Sequence, residues 1–335
     1  MVNILPVASG KGGVGKTSLS INLAILLAQK GKKVVLADFD LGGANLHTLL
    51  GLKNNHAGIG NFIYKQTNSF ETLYQETGIP NLRFIAGDCL FPGTPNLGFF
   101  IKNKIVKEIR SCDADFFILD LGAGSAFNTL DFYLLTHNSL LVTTPEITSI
   151  LNAYSFLKAA AFRFFTRQFK AKSEERAFIQ NFIAASSAGA ESSFVDLVQK
   201  LCEKFPETGL KAAEEMKKFC PQVIINMGNT VEDLEMAKRL RSLAKKKLDL
   251  NVNFVGFVPR DPELPVSIAR RSPLVLSNPS CKFAVQAKAA ADRIAKLDYG
   301  YNEMYEMDFE QSESTGERTD DMEILSEEFL KTSQI

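Results

Sequence analysis

Short apolar, β-branched runs recur along the chain at Ile4–Ala8, Lys33–Ala37, Leu82–Ala86, Phe116–Leu119, Leu140–Thr143, Gln222–Asn226, Val252–Val258 and Leu274–Leu276. Several are continuously apolar rather than alternating, the pattern of strands covered on both faces. Segments of helical spacing separate most of them, at Thr17–Lys30, Asn103–Arg110, Ser125–Leu135, Thr230–Lys247 and Lys282–Lys296. This alternation predicts an α/β fold, a mostly parallel twisted sheet of about eight strands with helices on both faces. Ligands of such sheets bind beyond the carboxyl ends of the strands. The rhythm breaks between Pro145 and Gln222, where helical stretches at Ser149–Phe169, Ser173–Ala185, Ser192–Phe205 and Thr208–Phe219 follow one another. A βαβ crossover needs one helix, so the excess predicts an all-helical insertion at about 156–219 within a domain of residues 1–300.

Charge adds a second division. The 335 residues carry 38 acidic and 38 basic side chains, but 11 of the acidic and 2 of the basic ones lie from Glu303 onward. The remainder has a net charge of +9, so a basic body carries an acidic tail at 301–335. The tail's composition is that of a disordered segment, although Glu323–Leu330 has the apolar and acidic residues of a short amphipathic helix. No run of about 18 apolar residues and no secretory leader pattern occurs in this sequence, so a cytoplasmic location is the expectation. Cys89, Cys112, Cys202, Cys220 and Cys281 form no C-x-x-C pair, which argues against thiolate metal sites and disulfides. His47, His56 and His137 lack metal-ligand spacing.

The chemistry is concentrated in Ser9–Ser18, SGKGGVGKTS. Placed between an apolar strand and an apolar-periodic helix, it reads as a glycine-rich phosphate loop. Gly10, Gly12, Gly13 and Gly15 let the backbone N–H groups, Val14 included, turn toward a polyphosphate. The following helix directs its positive end at the same charge. Lys16 would neutralise the β and γ phosphates, and Thr17, beside Ser18, would ligate Mg²⁺. Lys11 is a second lysine where the ordinary loop needs one.

Two acidic strand ends accompany the loop. Asp38 and Asp40 alternate about Phe39 and share one face. Asp40 is suited to orienting or deprotonating an attacking water and is a candidate acid toward Mg²⁺, while Asp38 would act on Mg²⁺ through water or hold Lys16 or Thr17. The bland alternative is a pair of aspartates capping the next turn. The run Asp115–Asp120 ends in a candidate magnesium-side acid, followed by the mobile-backbone sequence Leu-Gly-Ala-Gly124.

These residues resemble the MinD/ParA family of ATPases. The family's deviant Walker A box, K-G-G-x-G-K-[ST], matches Lys11–Thr17; its switch I D-x-D matches Asp38-Phe-Asp40; its switch II matches Asp120–Gly124. The likeness covers roughly residues 1–150 and 221–297. Within the family, Asp40–Leu52 is similar to the segment of the flagellar-number ATPases FlhG and FleN, with His47 in place of an aspartate. The resemblance implies a Rossmann-like P-loop NTPase that binds ATP or ADP with Mg²⁺ and dimerises on ATP. Lys11 would reach the partner's nucleotide, Thr17 would bind Mg²⁺, Asp40 would position water, and Asp120 would be the switch II acid. Asn226 and the Pro259-Arg260-Asp261 loop would border the adenine. An amide suits that edge because it both donates and accepts.

Partner modes remain open at this level. The glutamine-bearing N-terminal extension common in flagellar relatives and the basic membrane helix common in MinD-like proteins do not occur in this sequence. Phe162, Phe165 and Phe169 stripe one face of a segment whose other face carries Arg163, Arg167 and Lys170, which reads as core packing beneath a solvated basic face or as a peripheral membrane contact. Lys245–Lys247 and Arg270-Arg271 lack any accompanying nucleic-acid motif. The expectation is an ATP-switched positioning regulator with an unidentified activating protein partner. A division-site or partitioning ATPase acting on membrane or DNA is the alternative, and a metabolic enzyme or scaffold sharing the loop is the remoter one.

Overall fold

The computed structural model describes residues 2–41, 43–53, 56–87, 97–187 and 193–300. The acidic tail and Cys89 lie outside the described residues. The first half runs β1 (Asn3–Ala8), α1 (Lys16–Gln29), β2 (Val34–Phe39), α2 (Leu46–Leu49), α3 (Ile59–Ile63), β3 (Gln75–Glu76), β4 (Leu82–Ile85), α4 (Phe99–Ser111), β5 (Phe116–Leu121), α5 (Phe127–Tyr133) and β6 (Leu140–Thr143). The second half runs α6 (Ile147–Arg167), α7 (Glu174–Ser187), α8 (Phe194–Lys204), α9 (Pro206–Lys218), β7 (Gln222–Gly228), α10 (Leu234–Leu248), β8 (Asn253–Pro259), α11 (Glu263–Ala269), α12 (Leu274–Ser277) and α13 (Lys282–Ile294).

The eight strands form one sheet in the order β3-β4-β2-β5-β1-β6-β7-β8, parallel throughout except for β3 against β4. The continuous apolar runs have the expected meaning. Ile4, Val35, Phe117 and Leu119 enter the core on one face, and Leu5, Val7, Leu36 and Ile118 enter the core on the other. Helices α1, α12 and α13 cover the second face; residues of α3, α4, α5, α6 and α10 cover the first. A hydrophobic contribution on both sides of each strand is what keeps a parallel sheet away from water.

One expected strand is a helix. Leu274–Leu276 lies in α12, which starts after Pro273 and packs on α1, with the Val275 N–H donating to Asn22 Oδ1 at 3.0 Å. That bond ties the turn to a helix rather than to a sheet edge. The eighth strand is β3, whose two residues, Gln75 and Glu76, are polar and too few to leave a periodic signal. In the helical interval, α6 is a continuous helix across position 156, and α7, α8 and α9 follow it before β7. A reciprocal capping box between Ser193 and Asp196 starts α8, and Pro206 sits at the first turn of α9.

The phenylalanine stripe packs inward: Phe165 and Phe169 are buried and Phe162 is partly buried against the core. Its basic neighbours are not simply solvated. Arg163 and Arg167 both bind the buried carboxylate of Asp131 on α5, and Lys102 of α4 binds the same group. No described helix is long and apolar enough to cross a membrane.

Candidate nucleotide site

Parallel strands deliver their carboxyl ends to one edge of the sheet, and the candidate residues gather there. The Ser9–Ser18 loop leaves β1, Asp38 lies near the end of β2 and Asp40 just past it, Asp120 is the penultimate residue of β5, Asn226 lies in β7, and Pro259 ends β8. Register brings Val7 opposite Asp120 and Asp38 opposite Asp120.

Glycine is required in the loop at two places for different reasons. A side chain on Gly10 would stand 2.3 Å from the Asn152 carbonyl oxygen of α6. Gly15 has φ +79° and caps α1, and a Cβ there would lie 2.4 Å from the Asn226 amide nitrogen. Val14 is buried, and its carbonyl accepts from Asn226 Nδ2 at 2.8 Å. Gly12 and Gly13 meet nothing nearby and line the open side of the loop. Ser18 lies on α1, with its carbonyl accepting from Asn22 Nδ2 at 2.7 Å.

The loop's two lysines have different surroundings. Lys16 is buried and pairs with Asp120 at 2.9 Å. Thr17 Oγ1 donates to the other Asp120 oxygen at 2.8 Å. Lys11 stands at the rim, 32% exposed, within 3.2 Å of Glu146 and 3.3 Å of Thr148 Oγ1. The hydrogen bond from Lys11 holds the Glu146 carboxyl below its ordinary range.

The aspartates also separate. Asp38 accepts from the N–H groups of Asp40 and Leu46, each at 3.1 Å, and is buried. Its burial and the negative charge of Asp120 raise its pKa to about 7. Asp38 thus does cap the following turn while standing beneath the site. Asp40 is at the rim, between two glycines: Cβ atoms on Gly122 and Gly43 would lie 3.2 and 3.7 Å from its carboxylate. The Gly124 N–H donates to the Ser9 carbonyl at 2.9 Å, fastening the segment after Asp120 to the phosphate loop.

On the other side, Asn226 is buried with its Oδ1 lacking a hydrogen-bond partner. Gly228 at the end of β7 pairs in register with Pro259 at the end of β8. Asp261 holds its own loop, accepting from Glu263 N at 2.9 Å and Phe283 N at 3.3 Å. Among the described residues, no group of three or more His, Cys, Asp or Glu converges to hold a metal ion.

Two residues at the site were not singled out from sequence. Ser20 Oγ lies 2.8 Å from Asp120 Oδ1, and Glu146 meets Lys11. Ser20 lies one helical turn after Lys16, on the face of α1 that meets the site, and Glu146 is the acid that precedes α6 just past the end of β6, so both had a positional signal.

Residues 5–274 match the CobQ/CobB/MinD/ParA nucleotide binding domain family. The chain belongs to this family. Among its relatives, the septum site-determining protein MinD of Helicobacter pylori is 35% identical over 153 residues, 45% of this chain and 56% of MinD. The antiactivator FleN of Pseudomonas aeruginosa is 31% identical over 159 residues, 47% of this chain and 56% of FleN. The chain therefore spans little more than half the length of these relatives. The structure of MinD from Pyrococcus horikoshii complexed with Mg-ADP shares the fold, with a TM-score of 0.59 at 19% identity over 88% of this chain and 97% of that one. The family relation agrees with the loop, the paired strand-end acids and the eight-stranded sheet.

Proposed function

We propose that the chain is a Mg²⁺-dependent ATPase switch that dimerises face to face on ATP, hydrolyses it slowly and positions or limits a cellular structure. The observation that carries this reading is the contrast between the two lysines. Lys16 belongs to its own site, whereas Lys11 faces outward and is held by an exposed pair. Such a pair contributes at most about 1 kcal/mol, so Lys11 is free to exchange Glu146 for an anion presented from outside. A second copy's triphosphate is an anion of that kind.

The residues fit the nucleotide. The loop N–H groups and Lys16 would hold the phosphates, and the unpartnered Asn226 Oδ1 is an acceptor for a base amine, with Pro259 and Asp261 as the loop beside it. Lys16 leaving Asp120 for a phosphate would free that carboxylate to act with Thr17 on the metal. Mg²⁺ commonly takes one or two carboxylates plus phosphate oxygens, so the lack of an all-protein cage suits it. When bound, it neutralises developing phosphate charge. Asp40, against Gly122, orients the attacking water, and Asp38 braces the turn from below.

The flagellar-number role rests on Asp40–Leu52 and the FleN relation; the MinD relation favours division-site placement as the second reading. Under either reading the protein would act in the cytoplasm with a protein activator and, optionally, a peripheral contact at the inner face of the membrane. Light scattering of Asp40→Ala with ATP and Mg²⁺ tests the switch: a dimer is expected, and a monomer at micromolar concentration refutes it. Co-sedimentation with anionic vesicles and with DNA, with and without ATP, separates the matrices.

A further inference from the structure

The nucleotide residues gather at the carboxyl edge of the sheet, but the largest concavity lies at the opposite edge, where the amino end of β4 meets the C-terminal end of α4. Its volume is about 590 Å³, inside the ~300–1,000 Å³ range of small-ligand sites. The walls come from three places: the helical turn Phe70–Leu73 with Tyr74 after it, the β3–β4 pair, and the last turn of α4. Glu76 stands opposite Arg83 in the antiparallel register, which sets both side chains on one face of the sheet.

The charges of these walls are unevenly committed. Arg83, the cation among the described lining residues, lies over the Tyr74 ring at 4.2 Å and donates from Nη2 to the Asp113 carbonyl at 2.8 Å. The Asp113 carboxylate is taken by Lys33 at 2.8 Å. Glu71, Glu76 and Glu108 also line the cavity, and none of them forms an ion pair among the described residues. Glu108 spends one oxygen on the Phe70 N–H at 2.8 Å. Between the acids the lining is neutral and partly apolar. The Tyr74 hydroxyl and the Cys112 thiol hydrogen-bond each other, and burial pushes them up to about 12 and about 11. Neither is charged near neutral pH, so Cys112 offers no thiolate.

Spacing narrows the ligand. The three acids arrive from separate elements, and among the described residues no three such groups converge on one metal ion. A compact cation therefore satisfies one carboxylate at a time. A longer cation, with its charges spread along an apolar chain, reaches several of them while its methylenes pack on Tyr74 and Cys112. We propose that this cavity binds a small linear polyamine, an alkyl chain bearing two or more ammonium groups, through Glu71, Glu76 and Glu108. The site is separate from the phosphate loop and stands whether or not the nucleotide reading does.

The test uses the full chain without nucleotide and reads the cavity through Cys112, a free, half-buried thiol in its wall. Alkylation of Cys112 by iodoacetamide at about pH 8.5 is followed by peptide mass spectrometry, with spermidine as the probe. A local readout is needed because the acidic residues from Glu303 onward attract the same probe. Half-exposed charge pairs make a weak site, so half-protection is expected near about 1 mM spermidine at about 0.05 M salt. Saturating spermidine should slow alkylation several-fold in the wild type. Glu71→Gln/Glu76→Gln alters two exposed side chains, and Glu108→Gln keeps an oxygen for the Phe70 N–H. Both variants should melt like the wild type and lose most of the protection. Equal protection in the wild type and Glu71→Gln/Glu76→Gln overturns the proposal, as does no protection of the wild type. Equal protection by Mg²⁺ at matched ionic strength overturns it as well, because a point charge would then suffice. Protection by a lysine-bearing tripeptide without protection by spermidine assigns the cavity to a protein segment and overturns the small-ligand class.

Discussion

Asp38 and Asp120 stand directly opposite one another in the β2–β5 register, both buried, with Lys16 paired to Asp120. Two carboxylates and one ammonium in a low-dielectric pocket cannot all be charged without cost. The outcome falls on Asp38, whose pKa rises to about 7.

This sets a pH dependence. The folded pKa lies above the ordinary 3.8, so between these values the folded chain holds a proton that the unfolded chain has lost. The stability associated with protonated Asp38 is complete below pH 3.8, declines as pH rises toward 7 and is lost above it. Urea unfolding of the nucleotide-free chain at pH 5 and pH 7.5 should show this decline. In Asp120→Asn the neighbouring charge is gone and the decline should shrink; an unchanged pH slope would contradict the coupling.

The same logic with opposite sign applies to Asp131. Burial alone would raise its carboxyl, but the hydrogen bond from Arg163, the charge of Arg167 and the bond from Lys102 outweigh it and hold the pKa below the usual range. Asp131→Asn removes the carboxylate charge that three cations share and should cost on the order of 3 kcal/mol in chemical denaturation. Lys102→Met keeps the buried stem and leaves two arginines on Asp131, so it should cost clearly less.

The two loop lysines should separate in function. Lys16→Ala should abolish binding of a fluorescent ATP analogue, whereas Lys11→Ala should keep affinity within a few-fold and lose both ATP-dependent dimerisation and hydrolysis. Normal hydrolysis by Lys11→Ala, read as phosphate release, would refute the two-protomer clamp.

Gly15→Ala should fail for a local reason. The left-handed φ costs an alanine about 1–2 kcal/mol, and its Cβ would displace the Asn226 amide. A lower melting temperature with at least about tenfold weaker nucleotide binding is expected. Gly12→Ala, with open space at its Cβ, should melt like the wild type.

Much of this was legible in the chain. The strands of the sheet centre were readable because both their faces are apolar, as in Phe116–Leu119. The phosphate loop was readable because its glycines and lysines do their work within ten residues. β3 was missed for lack of apolar residues, and α12 was misread because its three apolar residues are equally compatible with a strand. Their states depend on β4 and on Asn22 of α1.

The sequence by itself determined the layered α/β architecture and the identity of the phosphate loop, since periodicity and loop chemistry are local properties. Only the tertiary structure decided which partner each charge takes. Lys16 finds Asp120 across 104 positions, Lys11 finds Glu146 across 135, and Asp131 collects cations from α4 and α6. Electrostatic energy depends on distance and burial in space, and no one-dimensional pattern encodes either before the sheet has brought its strand ends together.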